Sequence, residues 1–458
     1  MNILITGATG LIGSKLIETL FVQGHTNVRV VSRNPKKAQE NSPFPIKAYH
    51  WAPSENVIDS KALDNVDIVI HLAGESVAGG RWTRKKKQEI LESRVKGSNL
   101  LIRAIKDAKS TPKKLICASA IGIYGDRGEE TLTTESSQGN GFLSEVCQKW
   151  EQEITKHPIE HLKTHFLRIG IVLARGGGAL QKMLPPFRAG LGGPIGNGKQ
   201  YMSWIHIDDL IGQIIFLIEK GGRYPVYNGV SPHPVTNHIF TKTLGKALGK
   251  PTIIPAPAFG IKAALGEMSS LLISSQKVVP SRFMEEGYPF QFPQLEKALG
   301  HLIGHEAKGE DILIRYQWCP QNIKNVFKFF SDEANLEKIT PPHLNFKVIG
   351  KSSDNIQEGT LIDYRLSLYG FPLKWKTKIN LFEHEKRFVD EQIKGPYSKW
   401  VHTHNFIPVD NSTIIRDEIV YKVPFGMIGK LMAGPFIKKD LETIFNYRAK
   451  TIKELFRG

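Results

Sequence analysis

Gly7, Gly10 and Gly13 follow directly on the apolar run Ile3, Leu4, Ile5 and lead into a helical pattern. Glycines at that spacing suit a dinucleotide pyrophosphate. The first permits a tight turn, the second lets backbone approach the phosphates, and the third allows the helix to pack on the strand. The phosphates then meet the positive end of a helix dipole. The next apolar run ends in "VVSRNPKK", which offers Ser32 and Arg33, then Lys36 and Lys37, and no carboxylate. An NAD-selective site places an acidic side chain there for the ribose 2′-hydroxyl, whereas a hydroxyl and a guanidinium suit a 2′-phosphate. The residues therefore predict an NADP(H) site.

Other candidate groups are weaker. "MSWIHIDDL" brings His206, Asp208 and Asp209 together, and an Asp helix cap with an interior His is the expected reading. His402 and His404 stand two apart on one strand face, with no third ligand at a telling spacing. Two polar residues on a wet face, or a pair at a cavity mouth, are expected there. Cys117, Cys147 and Cys319 are too few and scattered for a disulfide framework or a metal cluster. No metal site is expected, and a reducing cytoplasm fits.

The elements that must hold these groups alternate. "NILIT", "VRVVS", "VDIVIHLA", "KLICASA" and "THFLRIGIVLA" read as buried strands with helical segments between them. That alternation means a parallel sheet covered on both faces, a doubly wound Rossmann-type α/β fold. A Gly- and Pro-rich stretch after Ala174 reads as a small lobe over a substrate. Near residue 301 the pattern changes to α+β. In "PLKWKTKINL", Leu373, Trp375, Thr377, Ile379 and Leu381 share one face and lysines the other, as in an antiparallel sheet with one wet side. A last amphipathic helix is expected over 437–456. The expected domains are 1–300 and 301–458.

With 458 residues, 41% hydrophobic and 23% charged, the composition is that of a multidomain globular protein. No apolar run reaches the ~18 residues of a membrane span. The net charge of +17 is spread along the chain, with one cluster at "RWTRKKKQE" that reads as a solvated helix start. A nucleic-acid partner is not expected.

"GATGLIG", "HLAGE", "SAIGIYGDRG", "GFLSEVCQKWE", "LRIGIVLARGGGAL", "PFRAGLGGPIGNGKQYMSWIHIDDL", "YNGVSP" and "QKVVPSRFMEEGYPFQFP" together resemble the atypical extended short-chain dehydrogenases/reductases, often labelled nucleoside-diphosphate-sugar epimerase or cell-division inhibitor-like. The resemblance spans about residues 1–300. It implies an NADP(H)-binding Rossmann domain with Gly7, Thr9, Gly10, Leu11, Ile12 and Gly13 in the cofactor loop. It further implies Ser32 and Arg33 at the 2′-phosphate, Leu72, Ala73 and Gly74 after the fourth-strand position, and Glu89 and Arg94 near the cofactor.

The departure from that pattern concerns the chemistry. Typical members use a Ser or Thr with a Tyr-x-x-x-Lys pair, in which the Lys lowers the Tyr pKa and the Tyr moves the substrate proton. None of the twelve tyrosines here has a Lys four residues on. Phe142, Leu143, Val146 and Cys147 hold the critical places of that segment, and Ala120 stands where the hydroxyl usually lies. Tyr124, Ser119, Glu145 and Lys149 are the candidate substitutes, since they lie in the two segments expected to face the nicotinamide.

From "CPQNIKNVFKFFSDEANLEKITPPHLNFKVIG" to the final helix, the chain resembles the START-like superfamily of polyketide cyclases and lipid transporters. This implies a helix-grip α+β domain over a hydrophobic or aromatic small ligand. Phe425, Met427, Leu431, Met432 and Phe436 would belong to its core or wall the cavity.

Three readings remain open. One is an NADP(H)-dependent oxidoreductase or epimerase-like protein with a small-molecule substrate beside the nicotinamide and a hydrophobic ligand held by the second domain. The others are a non-catalytic, division-related NADP(H) sensor and a lipid or aromatic carrier. The first is preferred, with turnover unassigned. Arg33→Asp is expected to weaken NADPH binding by about 1–3 kcal/mol, for a lost charge-assisted contact, and NADH binding far less. Parallel calorimetric titrations with the two nucleotides check this, and equal weakening would remove the 2′-phosphate assignment.

Overall fold

The computed structural model describes residues 1–368 and 370–456, apart from the side chains of 427 and 431. The chain divides into two compact units, residues 1–20, 25–42 and 46–304, and residues 21–24, 43–45 and 305–458.

In the first unit, β1 (Ile3–Thr6), β2 (Val28–Ser32), β3 (Lys47–Ala52) and β4 (Val57–Ile58) lie on one side of an eight-stranded sheet. On the other side lie β5 (Ile68–His71), β6 (Lys114–Ala120), β7 (Lys163–Ile169) and β8 (Val226–Gly229). The order is β8-β7-β6-β5-β1-β2-β3-β4. All pairs are parallel except β3 with β4. β1 and β5 are buried at every residue, which is why they read as unbroken apolar runs. Strand order reverses between β1 and β5, and a doubly wound sheet opens its ligand crevice at the carboxyl ends of such a pair.

Helices α1 (Leu11–Val22) and α2 (Pro35–Asn41) follow β1 and β2. α2 starts where Asn34 accepts from the Lys37 amide and Pro35 presets the first turn. α3 (Arg84–Lys106) is capped by Thr83 and begins in the basic cluster. There Lys86 pairs with Glu75 and Lys87 with Glu267. α4 (Phe142–Thr155) follows β6, and α5 (Ile207–Glu219) begins the segment after Trp204–His206. A separate core of Leu180, Leu184, Phe187, Trp204, Phe240, Leu244 and Leu299 draws together residues of the glycine-rich stretch and of the segments after it.

The second unit is an antiparallel sheet of β9 (Asp311–Cys319), β10 (Lys347–Lys351), β11 (Leu361–Leu368), β12 (Phe371–Glu383), β13 (Arg387–Lys394), β14 (Lys399–Val409) and β15 (Ser412–Lys422). Its order is β9-β15-β14-β13-β12-β11-β10. α6 (Ile323–Phe330) and the long α7 (Gly426–Leu455) pack on it, giving the helix-grip architecture.

Three expectations change here. The period-two face of β12 holds through Ile379, then a register shift between Ile379 and Leu381 turns Phe382 into the core in place of Leu381. α7 starts eleven residues before 437 and runs through Pro435, an exposed position where water can stand in for the missing N–H. Phe425, Met432 and Phe436 are exposed rather than core, because the packed stripe of α7 is Ala433, Ile437, Leu441, Ile444 and Phe445. Met427 and Leu431 lie outside the described side chains. Among the described residues, no helix is long and apolar enough to cross a membrane.

Candidate functional site

The loop after β1 is built around near-contact of backbones. Gly7 has φ +70°, and a Cβ there would lie 2.7 Å from the carbonyl carbon of Leu72 and 2.8 Å from the nitrogen of Ala73. A Cβ on Gly13 would stand 2.4 Å from the Gly7 oxygen, so the first turn of α1 presses directly on the loop. A Cβ on Gly10 would meet only the Gly7 oxygen, at 3.3 Å, which leaves its other side open. Thr9 and Gly10 are exposed, and Leu11 and Ile12 are half-buried at the start of α1. This is a cradle shaped for a pyrophosphate at a helix N-terminus.

The cradle is keyed to β5 by two residues that sequence reading passed over. Thr6 Oγ1 accepts from the Ala73 amide at 3.2 Å and shares a 2.7 Å hydrogen bond with His71 Nδ1. His71 Nε2 reaches Ser98 of α3 at 3.2 Å. Burial, and then the nearby Arg94, push the His71 pKa down to about 4, so the ring is a neutral hydrogen-bonding link near pH 7. The available signal was a histidine ending an otherwise apolar strand.

Of the remaining cofactor candidates, Ser32 is half-buried and receives a hydrogen bond from the Asn34 amide at 3.2 Å. Arg33 is exposed at the end of β2 and makes no hydrogen bond or ion pair among the described residues. Arg94 donates to the carbonyls of Glu75 and Ile90, both at 3.0 Å. Its guanidinium lies over Trp150, 4.9 Å from the ring centre, and against Gly74, whose Cβ would come within 3.1 Å of it. Glu89 is exposed and faces Lys86 at 3.6 Å.

The four candidates for proton chemistry separate into two pairs. Ser119 and Tyr124 share one buried network. Ser119 Oγ donates to Glu151 at 2.7 Å, and Glu151 takes a two-pronged ion pair from Arg168, both contacts at 2.9 Å. Arg168 also donates to the Tyr124 hydroxyl at 3.0 Å, which itself donates to Asn228 at 2.7 Å. Tyr124 is completely buried, and burial raises its pKa despite Arg168. Glu145 and Lys149 stand instead on the exposed side of α4. The side of α4 turned inward carries Cys147, whose thiol burial pushes up to about 11, and Leu143, which closes over Gly122. Glu151 and Arg168 were not foreseen. The signals were an acid on the inner face of α4 and an arginine inside an apolar strand.

His206 itself caps α5, accepting from the Asp208 amide at 3.1 Å, and its ring stacks on Phe292 at 3.9 Å. Burial pushes its pKa down to about 4. Asp209 takes the amides of Gln291 and Phe292 at 2.7 and 2.8 Å, so it anchors a chain segment rather than capping.

In the second unit, His402 and His404 are both buried, 6% exposed, and not on a wet face. Strand register sets Asp390 directly opposite His402 and Asp417 directly opposite His404. Burial opposes charge on His404, but the flanking carboxylates outweigh it and raise its pKa.

Residues 3–228 match the NAD dependent epimerase/dehydratase family, and 256–302 match a domain of unknown function. Residues 319–446 match the polyketide cyclase/dehydrase and lipid transport family. The chain is 37% identical over 304 residues to the epimerase family protein YfhF of Bacillus subtilis, covering 66% of this chain and 98% of that one. It is 36% identical over 307 residues to the mouse epimerase family protein SDR39U1, covering 66% of this chain and all of the relative. The crystal structure of human SDR39U1 isoform 2 with NADPH is similar at 35% identity and a TM-score of 0.60, over 66% of this chain and 99% of that one.

Glu151→Gln leaves the Arg168 charge buried without its counter-ion. The expected loss is about 3–5 kcal/mol of stability, read as a lower midpoint in urea unfolding. A change below about 1 kcal/mol would mean that the pair is no part of the core.

Proposed function

Since the chain belongs to the NAD dependent epimerase/dehydratase family and carries a C-terminal domain of the polyketide cyclase/dehydrase and lipid transport family, we propose that it is an NADP(H)-binding oxidoreductase or epimerase-like protein acting on a small-molecule substrate. The observation that carries the reading is the cradle at Gly7, Gly10 and Gly13, with Arg33 unpaired at the end of the next strand. Backbone amides of the cradle and the α1 dipole would hold the pyrophosphate, while Ser32 and Arg33 would hold the 2′-phosphate. The NADPH named in the human relative's structure supports the same choice of nucleotide. When bound, the nicotinamide supplies hydride transfer.

The chain's own part is to position and to exclude water. The Ser119–Glu151–Arg168–Tyr124 network fixes the carboxyl end of β6, and Arg94 covers the turn at Gly74. The second domain would hold a hydrophobic small ligand, as its family's description supports. Residues 1–300 and 301–458 are taken as the two functional domains.

A second reading has one observation in its favour. The Tyr124 hydroxyl is wholly buried and already bonded to Arg168 and Asn228, which suits a nucleotide sensor without turnover. The test uses NADPH deuterated at the transferable position, incubated with the full-length chain and a panel of ketones and sugar nucleotides. Label in a reduced product at a rate above the protein-free control is expected. Saturable NADPH binding with no label in any product, and no epimer formed from the sugar nucleotides, would overturn the catalytic reading in favour of the sensor.

A further inference from the structure

The interior of the C-terminal domain holds a polar cluster that neither the nucleotide site nor the proposed chemistry uses. Asp390 on β13, His402 and His404 on β14 and Asp417 on β15 lie on one face of three adjacent strands, brought there by register. Their side chains are 17, 7, 7 and 8% exposed. The rings of Trp400, Phe445, Phe388 and Phe330 surround the imidazoles. In such apolar surroundings, four ionisable groups need a reason to be together.

Their orientation supplies one. Asp417 Oδ1 lies 3.1 Å from His402 Nε2, a hydrogen bond, and 2.7 Å from His404 Nδ1, a close contact outside hydrogen-bond geometry, so one carboxylate oxygen meets one nitrogen of each ring. This leaves the other nitrogen of each ring turned toward Asp390. Its Oδ2 is 3.7 Å from His402 Nδ1 and 3.3 Å from His404 Nε2. Metal bonds of roughly 2.0–2.1 Å in a tetrahedral site put neighbouring ligand atoms about 3.3–3.4 Å apart. The two oxygen–nitrogen separations stand near that spacing, and one ligand atom from each of the three residues lies within 4.8 Å of the other two. A carboxylate on the far nitrogen of each imidazole is the usual outer partner of a metal-bound histidine, fixing its tautomer and orientation.

A further observation points the same way. Arg448 of α7 is 8% exposed, and its Nε and Nη1 have no hydrogen-bond partner. It lies within the electrostatic reach of Asp417 and Asp390. A buried guanidinium with two unused donors suits an anionic group brought in by a ligand.

We infer that Asp390, His402 and His404 form a binding site for a first-row divalent transition cation of the zinc type, with Asp417 as the outer carboxylate that orients both histidines. The donor set, two imidazoles and a carboxylate with no thiolate, favours Zn2+ and its neighbours over Ca2+ or Mg2+. Three protein ligands leave a coordination position open, and an acidic small molecule is the class of ligand that would take it. Spacing along the sequence argued against a metal because Asp390 arrives from another strand.

The test uses the full-length chain, purified without a histidine tag and dialysed against chelator, then titrated with Co2+ and Zn2+. One equivalent of Co2+ giving the visible absorption of a tetrahedral N/O site, displaced by Zn2+, is the expected result. Asp390→Asn should abolish that absorption, while Asp417→Asn should weaken binding 10- to 100-fold without abolishing it. His301→Gln is the control, because His206, Asp208 and His301 form the other grouping of this kind among the described residues. No Co2+ absorption in the wild-type chain would overturn the proposal without recourse to any variant. So would absorption that survives Asp390→Asn and disappears with His301→Gln.

Discussion

The candidate nucleotide site depends on one close approach, the backbone of Gly7 against Leu72 and Ala73. Any side chain at Gly7 would force the ends of β1 and β5 apart, and these are the two strands between which the order of the sheet reverses. Thr6 and His71 hold that approach by hydrogen bonds that a neutral imidazole can make and a solvated cation would disturb. Gly13 transmits the same closeness to α1, so the loop, both strands and the helix dipole are placed by contacts shorter than any Cβ allows.

Away from that loop, charge is handled by burial with compensation. In the first domain Glu151 and Arg168 neutralise each other inside the fold and take Ser119 and Tyr124 into their network. Such a pair contributes little net stability over apolar packing, but loss of one member is costly. Its effect is positional: it fixes two hydroxyls at the carboxyl end of the sheet and gives each a partner. In the C-terminal domain the same logic sets two carboxylates against two imidazoles and the buried Arg448.

The sheet and its glycine loop were legible because their signals are local. Unbroken apolar strands, helices between them and three spaced glycines each follow from backbone physics over a few residues. Groups that meet by tertiary placement were not legible in the same way. Glu151 and Arg168 come from a helix and a strand, and nothing in either segment announces the other. Asp390 and His402 face each other through a register that bulges can shift, as the slip after Ile379 shows in the same sheet. The start of α7 was not legible either, since the helix begins at Gly426 and continues through the exposed Pro435. Arg33 stands exposed at the end of the second strand, where the sequence placed it, and its part in nucleotide binding is a proposal.

The central claim is that the first domain selects NADP(H) through its cradle and the cationic end of β2. Calorimetric titration of the nucleotide-stripped, full-length chain with NADPH and with NADH tests it most directly. NADPH is expected to bind at least about tenfold tighter, equivalent to 1.4 kcal/mol or more, with one site per chain. Equal affinities, or tighter NADH, would contradict the account.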